Sequence, residues 1–194
     1  MNMKTHSPSL IFLLLLLVFT SCQKEEKTKD PAILPPTTQN GSFTLGCLVN
    51  SVPWIPRHYS NSLISPPSVL SSDYYENDGV KTFNIIGTHW REFESSDTEI
   101  LGIVVENNFT FDTIILDSLR YSGTYLNYII EPPDDRLEDF KSFQSIGNVN
   151  SWLIFSKFDT INRIASGMFS ADMVNVNDSL DSLKIRQGTF DVRF

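Results

Sequence analysis

A chain of 194 residues with 15 Lys and Arg against 23 Asp and Glu carries a net charge of −8. An acidic surface of this kind repels phosphate backbones, which excludes nucleic-acid binding and docking on anionic lipid through a basic patch. Two cysteines, Cys22 and Cys47, exclude a disulfide-dense fold, and beyond residue 21 only His58 and His89 remain as imidazoles, too far apart in sequence for a paired zinc motif.

The first element is an export signal. Lys4 supplies a positive start and Leu10 to Phe19 is an unbroken apolar stretch. As a helix it would rise only about 15 Å, roughly half a bilayer core, so it reads as a signal-peptide core and not as a membrane span. Thr20 and Ser21 place two small residues before Cys22, and Val18-Phe19-Thr20-Ser21-Cys22 resembles a lipobox with Phe19 where Leu is usual. Residues 1–21 are therefore expected to be removed and Cys22 to be diacylated or triacylated, and the loss of Lys4 takes the charge from −8 to −9. The competing reading is an ordinary secretory signal with an incidental cysteine.

Residues 22–41 follow as a tether. Their prolines, charge cluster and few core-forming side chains suit a solvated linker that does not fold. Gln23-Lys24-Glu25-Glu26 resembles the surface-export signal of Bacteroidota lipoproteins, so Lys24, Glu25 and Glu26 predict an outer-membrane protein facing the cell exterior. The alternative is a charged spacer on a protein facing the periplasm.

From Ser42 to Phe194 short runs rich in Val, Ile, Thr, Tyr, Phe and Trp alternate with Asn, Asp, Gly, Ser and Pro clusters. This pattern predicts one all-β domain, an antiparallel sandwich or partly open barrel of about 8 to 9 strands. Strands are expected near 43–49, 52–56, 80–90, 98–106, 111–117, 121–130, 149–158, 164–174 and 183–194. Asn50-Ser51 and Asn77-Asp78-Gly79 suit tight hairpins, and Gly147-Asn148 suits a turn. One short helix is expected over Asp134 to Lys141, and residues 57–72, with six serines and Pro66-Pro67, read as a long loop. In 149–158 strict alternation puts Val149, Leu153 and Phe155 on one face and Trp152, Ile154 and Phe158 on the other. Both faces are then apolar, as inside a sandwich or covered barrel, or around a lined cavity. In the last strand Leu183 and Ile185 are out of phase with Phe190, Val192 and Phe194, which predicts a β-bulge at Gly188 or a bend between two strands. Phe169, Met173, Phe190 and Val192 are expected in the core.

Three stretches together resemble an uncharacterised family of Bacteroidota lipoproteins. They are Thr44-Leu45-Gly46-Cys47-Leu48-Val49-Asn50 with Trp54-Ile55-Pro56, then Ser166-Gly167-Met168-Phe169-Ser170, then Lys184-Ile185-Arg186-Gln187-Gly188-Thr189-Phe190-Asp191-Val192. The family pattern has Gly where this chain has Ser51 and Thr where it has Met168. The resemblance spans most of residues 43–194 and implies an all-β lipoprotein; it carries no catalytic motif.

Chemistry is sparse. No Gly-rich phosphate loop, nucleophile elbow or His-based triad pattern occurs, and no cofactor or metal is expected. Cys47, inside an apolar run, reads as a small buried hydrophobe. Glu92, Glu94, Asp97 and Glu99 follow Trp90, and a glycosidase would need two such carboxylates about 5 to 9.5 Å apart; a solvated loop is the plainer reading. Asp112-Thr113-Ile114, Asp117-Ser118-Leu119, Asp159-Thr160-Ile161, Asp178-Ser179-Leu180 and Asp181-Ser182-Leu183 look like D-[ST]-apolar acceptors for O-glycosylation, though the same residues form turns. The expected protein is not an enzyme. It is held to the membrane through lipid on Cys22 and binds a glycan, a peptide or an envelope protein, with Tyr59, Tyr74, Tyr75 and Trp90 as possible ligand contacts that ordinary packing would equally explain. A hydrophobic-ligand carrier and a carboxylate hydrolase are the alternatives.

Overall fold

Two tight turns decide how the chain starts its sheet. β1 (Thr44–Val49) and β2 (Val52–Trp54) are joined by Asn50 and Ser51, at φ 48° and 70°, and β3 (Leu70–Asn77) and β4 (Val80–Trp90) by Asp78 and Gly79, at 51° and 81°. Paired left-handed residues match the twist of the flanking strands, so both hairpins close with two-residue loops, as the sequence predicts. Ser51 holds a conformation that costs an L-residue with a side chain. Ser51→Gly is accordingly expected to stabilise the domain by about 1 kcal/mol in urea unfolding.

In the computed structural model, which describes residues 33–58, 68–90, 97–116, 123–132 and 139–194, the remaining strands are β5 (Thr98–Glu106), β6 (Ile114–Ile115), β7 (Tyr125–Glu131), β8 (Lys141–Ser145), β9 (Trp152–Asp159), β10 (Ile164–Asn175) and β11 (Ser182–Arg193). They pair antiparallel in the order β2-β1-β11-β10-β8-β7-β5-β4-β3. Nine strands thus form one curled sheet, a half-barrel, and strands make up 62% of the described residues, with no helix among them. Of the two architectures expected, the partly open barrel is the one formed. β10 is long enough to serve two neighbours: Ile164–Ser170 pairs with β9, which carries β6, and Met173–Asn175 pairs with β8.

Two strands depart from the sequence reading. Leu70–Asn77 pairs along its whole length with β4, where a loop to residue 72 is expected. Its sequence, LSSDYYEN, is polar because this is the edge of the sheet, and an edge strand is protected by charged and hydroxyl side chains on its outer face. Lys141 opens β8 and does not close a helix; residues 133–138 of the expected helix lie outside the described residues.

Register shifts gather the apolar side chains on the inner face. On β11, Phe169 faces Gly188 and Ala171 faces Ile185, so Arg186 and Gln187 stand opposite Ser170 alone. This is the expected bulge, displaced by one residue: Gln187, at φ 53°, takes the left-handed conformation. Gly188 serves a different purpose, since a Cβ there would lie 2.5 Å from the ring of Phe169. A second shift, on β9, pairs Lys157 with Ser166 and Phe155 with Gly167, leaving Ser156 extra. It returns Phe158 to the face of Leu153 and Phe155, where its ring lies 5.1 Å from Phe155, 5.5 Å from Phe83 and 5.4 Å from Phe194. The two-faced reading of this strand is therefore corrected. Leu153 and Phe155 are buried while Trp152 and Ile154, on the opposite face, are half-exposed, and Val149 lies in the preceding turn, 84% exposed. Phe169, Met173, Phe190 and Val192 are all buried, as expected.

Candidate functional site

An acid in the last strand gathers five hydrogen bonds on its carboxylate. Asp191 is 1% exposed. Its carboxylate accepts from Ser166 Oγ at 2.7 Å and Gly41 N at 2.8 Å on one oxygen, and from Thr38 Oγ1 at 2.5 Å, Ser42 N at 3.1 Å and Asn40 N at 3.2 Å on the other. Burial by itself would raise its pKa. The donors from Thr38, Ser166, Ser42 and Gly41 outweigh burial and hold the carboxyl well below the usual range. Gly41, at φ 71°, lies so close to Arg193 that a Cβ would meet its side chain at 2.6 Å. Arg193 and Lys157 add side-chain bonds to the carbonyls of Asn40 and Gln39. Residues 38–42 therefore form a strap fixed to the sheet, which corrects the expected tether: its residues 38–41 are part of the fold, and its residues 22–32 lie outside the described residues.

Beside the strap runs an apolar groove of about 460 Å³, lined chiefly by Ile33, Pro35, Phe43, Ile55, Pro56 and Val69. Strand register explains its place. Thr44, Leu45 and Gly46 pair with β11, whereas pairing with β2 begins only at Cys47, so among the described residues no strand covers the other edge of Thr44–Gly46. Pro35 lies over Gly46, where a Cβ would meet it at 2.5 Å. The opposite wall is Ser68 to Leu70, where the chain leads into β3, so the groove occupies the seam that the half-barrel leaves between β1 and β3. Ile33 is 83% and Phe43 45% exposed, which leaves apolar surface facing water at its mouth.

Past Trp54 the chain crosses to β4. Arg57 N donates to Thr88 O and Trp90 N to Arg57 O, both at 3.0 Å, a parallel bridge that closes one end of the half-barrel. His89, buried there, is 2.8 Å from Ile55 O through Nδ1 and accepts from Arg57 Nε through Nε2 at 3.0 Å. This pattern fits the neutral ring with its proton on Nδ1. Trp54 stacks on it at 6.0 Å. Cys47 is fully buried, and burial, then the charge of Glu99, pushes its thiol up to about 12, so it stays protonated at neutral pH. That agrees with its reading as a buried hydrophobe.

Among the described residues, the expected ligand contacts Tyr74, Tyr75 and Trp90 do not share one surface. Tyr74 is corrected: it points inward on β3, and its ring packs on Phe109 at 5.6 Å, Phe158 at 5.5 Å and Phe194 at 5.5 Å. Tyr75, the next residue, is 49% exposed on the outer face. Trp90 is 41% exposed and meets His58 edge-on at 5.0 Å. Tyr75 pairs with Thr82, eight positions from Trp90 on β4, which separates the two by roughly 26 Å. Tyr59 and the tether residues Cys22, Lys24, Glu25 and Glu26 lie outside the described residues, as do Glu92 and Glu94. Glu99 is a buried strand residue opposite His89, not part of a solvated loop. Among the described residues no three His, Cys, Asp or Glu side chains gather as metal ligands. Thr113, Thr160, Ser179 and Ser182 of the D-[ST]-apolar tripeptides are exposed, and Ser118 lies outside the described residues.

Neither the strap nor the groove is foreseen from sequence. An acid between Phe190 and Val192 in an apolar strand is the one signal that pointed to a buried polar partner. Comparison with protein-family models, curated proteins and solved structures finds no match to this chain.

Proposed function

We propose that this is an outer-membrane lipoprotein, anchored through acylated Cys22 and displayed on the cell exterior, whose half-barrel is a non-catalytic binding module. The observation that carries the reading is the apolar groove beside the strap, with Ile33 and Phe43 exposed at its mouth. Apolar walls favour an extended apolar segment of a peptide or envelope protein over a glycan, because few polar groups stand there to meet sugar hydroxyls. Among the described residues, His89 has both ring nitrogens bonded, Cys47 is held as the thiol, and Asp191 is consumed by the strap. The resemblance of the opening hairpin and the closing strand pair to Bacteroidota lipoproteins supports the same reading.

Two acyl chains anchor a protein stably, so Cys22→Ala is expected to move it from the detergent phase to the soluble fraction. Unchanged partitioning rejects the anchor. Replacing Lys24, Glu25 and Glu26 together with alanine is expected to abolish labelling of intact cells while membrane association persists, and labelling that stays the same rejects the export signal. The binding role is read with the folded unit Pro31–Phe194 on an array of apolar peptides and glycans. Retention on peptides that Ile55→Asp removes supports it, and retention nowhere rejects it.

A further inference from the structure

We infer that Asn40 is a site of spontaneous deamidation that the closed strap guards, and that the modification, once made, stops the strap from closing again. Asn40 is followed by Gly41 and is exposed to water. A glycine carries no Cβ, so the backbone nitrogen that follows the asparagine is unhindered. The reaction needs no partner but water. Gly41 N loses its proton and attacks Asn40 Cγ; the N–Cγ bond forms, the Cγ–Nδ2 bond breaks, and Nδ2 leaves as ammonia with that proton. Water then opens the cyclic imide at either carbonyl, which leaves an aspartate or, with the backbone routed through the side chain, an isoaspartate.

The closed strap occupies both reacting groups. Gly41 N–H donates to Asp191 Oδ1 at 2.8 Å, and Asn40 Oδ1 accepts from Ser42 Oγ. A carboxylate beside the nitrogen opposes the amide anion that must form, because like charges repel. Nor can that carboxylate take the proton, since its pKa is held well below the usual range and so weak a base has little driving force. Asn40 N donates to Asp191 Oδ2 and Arg193 Nη2 donates to Asn40 O, both at 3.2 Å, which fixes the residue from two sides against ring closure. Reaction therefore runs only from molecules whose strap has opened locally, at the rate of a free peptide times the open fraction. The product does not return to the closed state. Aspartate at position 40 sets a second negative charge next to Asp191, and isoaspartate lengthens the backbone between the amides of residues 40 and 41, which share that carboxylate. The strap leads directly into Phe43 and Thr44 of the groove wall, so its loss reaches that wall.

The test incubates the full-length protein at mildly alkaline pH beside a synthetic peptide of residues 37–44. Peptide mass mapping reads the change from amide to acid at residue 40, and isoaspartyl methyltransferase labelling reads the rearranged product. The folded protein is expected to react about tenfold or more slowly than the peptide. Thr38→Ala removes one donor from Asp191 and, in protein shown to be folded by circular dichroism, is expected to raise the rate about fivefold. Equal rates in protein and peptide, or a rate that Thr38→Ala leaves unchanged, overturn the guard. A second reading needs no variant: protection of the Gly41 amide from hydrogen exchange should match the slowing factor, since both report the open strap, and slowing without protection overturns the mechanism. In aged protein enriched in isoaspartate, the Gly41 and Ser42 amides are expected to exchange freely. Amides that stay protected there overturn the lock.

Discussion

Phe190→Ala lowers stability by about 3 to 5 kcal/mol in urea unfolding, the expected loss for a fully buried ring. Phe190 is 2% exposed and sits between Phe155 at 5.8 Å, Phe169 at 6.4 Å and Phe83 at 6.5 Å. Its ring also lies over the backbone of Gly167, where a Cβ would come within 2.6 Å of it. The neighbours belong to different strands of one curved sheet, and hydrogen-bonded strands do not close readily over the space left behind. The result should appear as a lower midpoint at unchanged slope. A midpoint equal to that of the parent protein would mean that Phe190 does not point inward, and that the register shift at Arg186 and Gln187 is wrongly placed.

Asp191→Asn is expected to cost about 3 kcal/mol at neutral pH, because it places an amide N–H₂ among five donors and removes the charge that they solvate. The parent protein should also show a pH dependence that the variant lacks. Hydrogen bonds hold the folded-state pKa of Asp191 below its unfolded value. Its contribution to stability is therefore fully present above the unfolded carboxyl pKa, near 4, and declines as the pH falls from there towards the lower folded value. Unfolding midpoints measured from pH 6 down to pH 2.5 should diverge least at the acid end. Curves for parent and variant that stay parallel throughout would show that the carboxylate does not hold the strap.

Several features of this fold were legible because they are local. Hairpin turns are selected by residues that tolerate positive φ, and Asn50-Ser51 and Asp78-Gly79 turn as predicted. Alternation on one strand identifies its buried face, and so Phe169, Met173, Phe190 and Val192 were found. The phase change near Gly188 announced a bulge. Which residue absorbs it was not local: Gly188 is kept clear by the ring of Phe169, from the neighbouring strand, and the left-handed conformation falls on Gln187. In β9 strict alternation misled, because the extra residue, Ser156, has no sequence mark of its own and appears only when Phe155 and Lys157 are seen paired to consecutive residues of β10. Leu70–Asn77 was hidden for the opposite reason. An edge strand is polar by necessity, and polarity reads as a loop.

The sequence by itself determined an antiparallel β domain, its tight turns and much of its core, since these depend on backbone preference and on the period of the side chains. Only the tertiary structure decided the half-barrel, the strap and the groove. Thr38, Asn40 and Gly41 look like tether until Asp191, some 150 residues later, supplies a buried charge that must be hydrogen-bonded. The groove likewise belongs to no segment: it exists because β2 is too short to cover the start of β1, and curvature brings the start of β3 to face that bare edge.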